Sequence, residues 1–355
     1  MSWPRHQAID CDIHPSVPSM RALLPYLDDH WRETVEARGI TSLESISYPR
    51  HAPLTARPDW RDESGQAATD LAAVRTQLLD HFGVRLAVCN CLYGVQLVFD
   101  AYMARAFARA INDWIAKEWL DPEPRLRASI VVPLQDPEFA VEEIERCAGD
   151  RRFLQVLVLA MGELPLGRRA YWPVYAAAER HGLPIGIHAG SSYRHPVTSV
   201  GWPTTYAEDY ASQAQGFQAQ LTSLITEGVF RQFPSLKVVL LESGVTWLPA
   251  YLWRLAKFWR GLRFEVPWVD RPPHQIVREQ VRLTIQPLDA PTDAGVISRI
   301  VEHLRADDML LFATDYPHWQ FEGDDVLPVG LPADLIEKMA VANPLETYPR
   351  LRETA

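Results

Sequence analysis

The sequence predicts an α/β fold of the (β/α)8 TIM-barrel class, with residues 1–355 forming a single domain and a long insertion after strand 1. Two observations carry this expectation. Short, almost continuous apolar runs alternate with amphipathic segments along most of the chain, the pattern of parallel strands covered by helices. About eight such runs occur, enough to close a barrel, and none is followed by the Gly-x-Gly-x-x-Gly or Walker loop of an open nucleotide-binding sheet.

The first strand is Ile9-Asp10-Cys11-Asp12-Ile13-His14-Pro15, whose period of two puts Asp12 and His14 on one face near its carboxyl end. Residues 16–70 follow, rich in Pro, Arg, Asp and Ser, with a short helix around Ser19 to Gly39. A connection of this length is expected to be an insertion or lid over the site.

Regular alternation then begins. Asp70 to His81 reads as an amphipathic helix closed by Gly83, and Arg85 to Tyr93 as a buried strand and turn. A helix from about Val98 to Leu120 leads to the strand Leu126 to Pro133. Asp136-Pro137 opens a helix whose Glu138, Glu142 and Glu143 suit the positive end of the macrodipole. Phe153 to Ala160 is a strand, Ala170 to His181 a helix ended by Gly182, and Pro184 to His188 a strand. Next come a helix from about Gln218 to Phe233, the strand Lys237 to Glu242 and a helix from Val245 to about Trp259. Val281 to Gln286, a helix near Asp293 to Leu304, Met309 to Asp315 and a last helix from Leu331 to Ala342 complete the order.

Bulk properties narrow the function. Apolar residues are 47% and charged residues 23% of the chain, an ordinary globular balance. The net charge is -10 and no Lys/Arg run forms a basic stripe, so neither nucleic acid nor an anionic membrane is an expected partner. No segment approaches the roughly 20 apolar residues of a bilayer span, and the first residues lack a signal-peptide core, so the expected location is the cytoplasm. Cys11, Cys89, Cys91 and Cys147 lie in apolar segments without Cys-x-x-Cys spacing and read as reduced, buried thiols.

Chemistry in a parallel barrel sits at the carboxyl ends of the strands. Strand one ends in Asp12 and His14, strand five in His188, strand six in Glu242 and strand eight in Asp315. Each alone has an ordinary explanation: His188 as a satisfied core histidine, Asp315 as the start of a turn. Together they are hard to explain by packing, because an unpaired buried charge costs several kcal/mol, of order 2–7 for a polar group and more for an ion. A metal ion rewards such convergence, since His supplies a neutral nitrogen and Asp a charged oxygen.

Asp12-Ile-His14, His188 in Gly-Ile-His-Ala-Gly, Glu242-Ser-Gly-Val-Thr-Trp-Leu-Pro and Asp315-Tyr-Pro-His resemble, in matching order, the amidohydrolase superfamily. Specifically, they resemble its amidohydrolase-related branch, which contains aminocarboxymuconate-semialdehyde decarboxylase. The resemblance implies that Asp12, His14, His188 and Asp315 bind one divalent ion. Many members read His-x-His or Glu-x-His where this chain has Asp-x-His, and the harder oxygen ligand points to zinc, with manganese second. Binuclear members bridge their metals with a strand-four lysine; here the lysines are Lys117, Lys237, Lys257 and Lys338, none in Phe153 to Ala160, so a mononuclear site is expected. Strand six carries Glu242 where related decarboxylases carry a histidine.

That substitution favours hydrolysis: a metal-activated water attacking a small cyclic or aromatic-derived amide, lactone or diketone, with Asp315 as base and Glu242 as proton shuttle. The alternative is non-oxidative decarboxylation of an aromatic or muconate-type acid. Substrate contacts are expected from Arg194, His195, His318, Trp319 and Tyr93. The family and the Trp-rich helix Trp247 to Trp259 suggest a homodimer.

Overall fold

Each apolar run becomes a parallel strand, and the eight pair in sequence order: β1 (Ile9–Ile13), β2 (Leu86–Cys89), β3 (Leu126–Val131), β4 (Phe153–Leu159), β5 (Ile185–His188), β6 (Val238–Leu241), β7 (Val281–Thr284) and β8 (Leu310–Leu311). The computed structural model describes residues 3–43, 56–190, 195–290, 293–319 and 331–352. β8 returns to β1 through Cys11 N to Phe312 O (2.9 Å), Asp315 N to Asp12 O (3.1 Å) and His14 N to Tyr316 O (2.7 Å), which closes the sheet into a barrel. Nearly every strand residue is buried, as expected where helices cover the outside and side chains fill the lumen.

The helices start where the chain supplies a cap. Asp100 accepts from Tyr102 N and Met103 N at the head of Ala101–Trp114, and Asp136 from Glu138 N and Phe139 N at the head of Pro137–Cys147. Two expectations need correction. The helix placed from Gln218 begins instead at Tyr206 and runs to Thr226, because Thr205 accepts from Glu208 N and caps it twelve residues earlier. A helix over Pro273–Gln280, for which the periodicity gave no signal, packs beside β7 with Pro at its first turn. The stretch Ser19 to Gly39 holds Met20–Leu23, a 3-10 turn at Leu24–Tyr26, and Asp29–Arg38 ended by Gly39 in the left-handed conformation.

The carboxyl-terminal segment closes the amino end of the barrel. Buried Arg350 donates to the carbonyls of Ala148, Asp150, Phe153 and His181, which surround the starts of β4 and β5. The Tyr348 hydroxyl reaches Gln155 inside the lumen (3.3 Å). All four cysteines are free and buried.

Ahead of β3, Glu123 gathers Arg75 (2.7 Å) and Arg125 (2.9 and 3.0 Å). Hydrogen bonds from Arg125, together with Arg75 and against its burial, hold its carboxyl down at about 2. A depressed carboxyl contributes stability above its unfolded value and loses it as pH falls toward the folded one. Glu123→Gln is therefore expected to cost about 2 kcal/mol at pH 7. Thermal melts of the two proteins should converge as pH is lowered from about 4.5 to about 2.

Candidate metal centre

The carboxyl ends of β1, β5 and β8 bring Asp12, His14, His188 and Asp315 together, with one ligand-type atom from each lying within 4.8 Å of all the others. All four side chains are buried. His14 Nε2 is 3.3 Å from Asp12 Oδ1 and 2.8 Å from Asp315 Oδ1, and His188 Nε2 is 3.8 Å from Asp12 Oδ2. Asp12 and His14 share a face because they stand two positions apart on a strand; His188 meets them because β5 stands across the lumen.

The ring nitrogens are oriented by backbone. His14 Nδ1 lies 2.9 Å from Asn90 O, and His188 Nδ1 bonds Ala189 O. A carbonyl only accepts, so each Nδ1 donates and each Nε2 is directed at the cluster, the arrangement that metal-ligating histidines require. Three cluster atoms, Asp12 Oδ2, His188 Nε2 and Asp315 Oδ2, are buried without a hydrogen-bond partner. Orphaned acceptors of this kind are costly unless a cation satisfies them. The residues therefore fit a single divalent ion.

Electrostatics tell the same story. Burial raises Asp12 to about 7, against the pull of His14. Burial alone would lower His14, yet the Asp12 and Asp315 carboxylates raise it to about 9. The imidazolium proton on Nε2 stands where an ion's charge would stand. His188 is depressed to about 3 by burial and by the charge of His14, a neutral imidazole suited to ligation. Asp315 stays well below the usual carboxylate range despite burial, because His318 and His14 face it.

Glu242 follows β6 across from this cluster. Its Oε2 is 3.4 Å from His188 Nε2, and its backbone N–H donates to Thr284 Oγ1 (2.9 Å). Burial, then the charges of Asp315 and Asp12, push its carboxyl well above the ordinary glutamate range. Glu242 and Asp315 both adopt left-handed backbone, φ 57° and 58°. Non-glycine residues hold that conformation at a cost of about 1–3 kcal/mol, and it is concentrated at functional sites.

The other expected residues divide. His318 joins the site: its Nδ1 is 2.8 Å from Asp315 Oδ1 and its ring stacks on His14 at 4.6 Å. Trp319 is 45% exposed at the end of an aromatic row, with Tyr210 at 6.5 Å and Tyr206 at 5.2 Å from Tyr210. His195 lines a cavity with Gln96 and Gln135. Tyr93 is half-buried and bonded to the backbone of Leu43, in the 16–70 segment. Arg194 lies outside the described residues.

Several residues of the surroundings escaped sequence reasoning. Asn90 Nδ2 donates to Asp12 Oδ1 (2.8 Å), while Ser129 Oγ (2.5 Å) and Gln155 Nε2 (3.2 Å) bond its Oδ1 and fix its amide. Asp10 accepts from Asp12 N, Thr314 N and Thr314 Oγ1 (3.2, 3.1 and 2.6 Å), binding β1 to the β8 end. The period of two that singled out Asp12 and His14 also puts Asp10 on their face, and Asn90 is the polar residue closing the β2 run. Tyr206, whose phenol burial and the nearby Glu242 and Asp315 charges push up, had no such signal, since it lies ahead of the apolar periodicity that begins near Gln218.

The profile of the family described as Amidohydrolase matches residues 9–350. A gamma-resorcylate decarboxylase from Rhodococcus jostii is 27% identical over 276 residues, which cover 72% of this chain and 80% of that protein. Among solved structures, a dihydroxybenzoic acid decarboxylase from a Polaromonas species, with bound manganese and the inhibitor 2-nitroresorcinol, superposes with a TM-score of 0.68 at 20% identity. It covers 97% of each chain. The 5-carboxyvanillate decarboxylase of Sphingomonas paucimobilis gives 0.67 at 20% identity, over 97% of this chain and 99% of that one. These likenesses in structure share the fold. The relatives are decarboxylases, which overturns the expectation of hydrolysis. The physical reason is that one ligand set serves both reactions: a single-ion site can activate water or hold an acid, and the strand-six glutamate does not choose between them.

Proposed function

Because this chain belongs to the amidohydrolase family, we propose that it is a metal-dependent, non-oxidative decarboxylase of a small hydroxylated aromatic acid. The observation that carries this reading is the buried one-ion ligand set in a chain related over most of its length to gamma-resorcylate decarboxylase. Asp12, His14, His188 and Asp315 hold the ion. Two imidazole nitrogens with two carboxylate oxygens suit manganese and zinc alike. The manganese of the Polaromonas enzyme favours the former over the zinc expected from sequence.

When bound, the ion neutralises and anchors the oxygens of the acid. Asp315 is the proton carrier, with His318 Nδ1 2.8 Å from its Oδ1. The proton adds to the ring carbon bearing the carboxylate, the bond to that carboxylate breaks, its electron pair returns to the ring, and carbon dioxide leaves. His318 resupplies Asp315. Glu242, whose carboxyl burial raises, donates to an oxygen of the substrate. Trp319 and the tyrosines beside it flank the ring, and Arg194, His195 and Tyr93 complete the substrate contacts.

Residues 16–43 and 56–70, the described parts of the 16–70 segment, act as a lid. Ala56 bridges antiparallel to His318, and Arg57 N donates to Pro317 O (2.8 Å), which latches this segment beside Asp315. A homodimer is supported by Trp253, Phe258 and Leu262, exposed on the helix Leu248–Leu262. No helix among the described residues is long and apolar enough to cross a membrane, and four free buried thiols suit the cytoplasm.

The test is carbon dioxide release from 2,6-dihydroxybenzoate and related hydroxybenzoates by metal-loaded protein. Release is expected to scale with enzyme, to stop on chelation and to return with manganese. A metal-replete preparation that releases none from any of these acids would sink the proposal.

A further inference from the structure

The barrel lumen holds buried polar side chains that the proposed reaction does not use. Ser129 and Gln155 interrupt the apolar runs of β3 and β4, where they are register partners, and Asn90 follows the end of β2. All three are buried. Gly186 on β5 leaves room for the Gln155 amide, since a Cβ there would meet Gln155 Cδ at 2.9 Å and Oε1 at 3.0 Å. Burying two amides and a hydroxyl is costly unless each finds a partner, and here they find one another.

Asn90 is the member that touches the metal centre, and it does so from both backbone and side chain. Its carbonyl accepts from His14 Nδ1 (2.9 Å), and its Nδ2 donates to Asp12 Oδ1 (2.8 Å). A ligating carboxylate oxygen only accepts, so the amide has one workable orientation, with Nδ2 toward Asp12 and Oδ1 away from it. Ser129 Oγ (2.5 Å) and Gln155 Nε2 (3.2 Å) donate to that Oδ1. Tyr348, from the segment that closes the amino end of the barrel, donates in turn to Gln155 Oε1 (3.3 Å). Held at Oδ1, the Asp12 carboxylate keeps its Oδ2 turned toward His188 Nε2 (3.8 Å).

We infer that Asn90 is a positioning residue of the metal centre, whose amide sets the affinity and geometry with which Asp12 holds the ion, and that Ser129, Gln155 and Tyr348 hold that amide through the lumen. A ligand free to rotate gives up that freedom on binding, whereas one already fixed by an outer partner has none to lose. Outer partners of this kind are worth about 10–100-fold in metal affinity. The inference rests on the ion proposed for these ligands and not on decarboxylation. It is read from metal binding alone, so it stands even where turnover fails.

The test is titration of the full-length, metal-free protein with manganese. Asn90→Leu keeps the volume and the backbone bond to His14 and removes only the amide. It is expected to weaken manganese binding about tenfold or more and to change the electron paramagnetic resonance spectrum of the bound ion. Gln155→Leu leaves Asn90 in place, takes away one donor to its Oδ1, and is expected to weaken binding about threefold. Asn112→Leu controls for the loss of a buried amide as such, because Asn112 is also buried and bonds Val131 and Glu143 instead of a ligand. Its manganese affinity is expected to stay within about twofold of the unsubstituted protein's, with the same spectrum. Affinity and spectrum unchanged in whichever of Asn90→Leu and Gln155→Leu folds, or an equal loss in Asn112→Leu, would overturn the assignment. Unsubstituted protein that binds no manganese would overturn both the assignment and the proposed ion.

Discussion

Asp315→Asn is expected to lower carbon dioxide release by about a thousandfold or more, within the range that loss of a general acid–base group brings. Asparagine keeps the volume and one acceptor oxygen for the His14 and His318 contacts, so the barrel should fold as before. What disappears is the charge. His14 loses one of the two carboxylates that hold it up, and the unpartnered Oδ2 is replaced by an amide that neither ligates well nor carries a proton. Metal content measured beside the rate separates the two roles of this residue. A rate near that of the unsubstituted enzyme would remove Asp315 from the chemistry altogether.

Glu242→Gln is expected to cost about a hundredfold in turnover with the bound ion retained. Glutamine preserves the shape and leaves the backbone bond to Thr284 in place, but it has no proton to release. The effect follows from the environment: burial and the facing carboxylates of Asp315 and Asp12 raise this carboxyl, which favours the form that can donate. If metal content falls together with the rate, Glu242 is a ligand, as its distance of 3.4 Å from His188 Nε2 permits.

The metal-type cluster was legible in the chain because it depends on local rules. An apolar run ending in His or Asp marks a strand end, and parallel topology puts all such ends on one rim. Asp12, His14, His188, Glu242 and Asp315 follow from that as candidates, and the resemblance to the amidohydrolase superfamily singles out the four without Glu242. The reaction did not follow, since hydrolysis and decarboxylation draw on the same ligands. His195 is expected at the substrate from its neighbours in sequence, and in the structure it lines a cavity with Gln96 and Gln135. Tyr206 was missed because Thr205, one capping residue in a polar stretch, moves the helix start well ahead of where the apolar periodicity begins.

By itself the sequence determined the barrel, the order of its strands and the four ligand-type residues, since periodicity and strand-end chemistry are written within ten residues of each position. Only the tertiary structure decided how those groups are held. Asp10 grips Thr314 across 304 residues of chain, and Asn90 reaches Asp12 across 78. The left-handed backbone of Glu242 and Asp315, and the carbonyls that orient His14 and His188, likewise belong to the closed barrel. Such contacts arise when β8 meets β1 and distant segments share one buried volume, where every polar atom must find a partner or leave room for an ion.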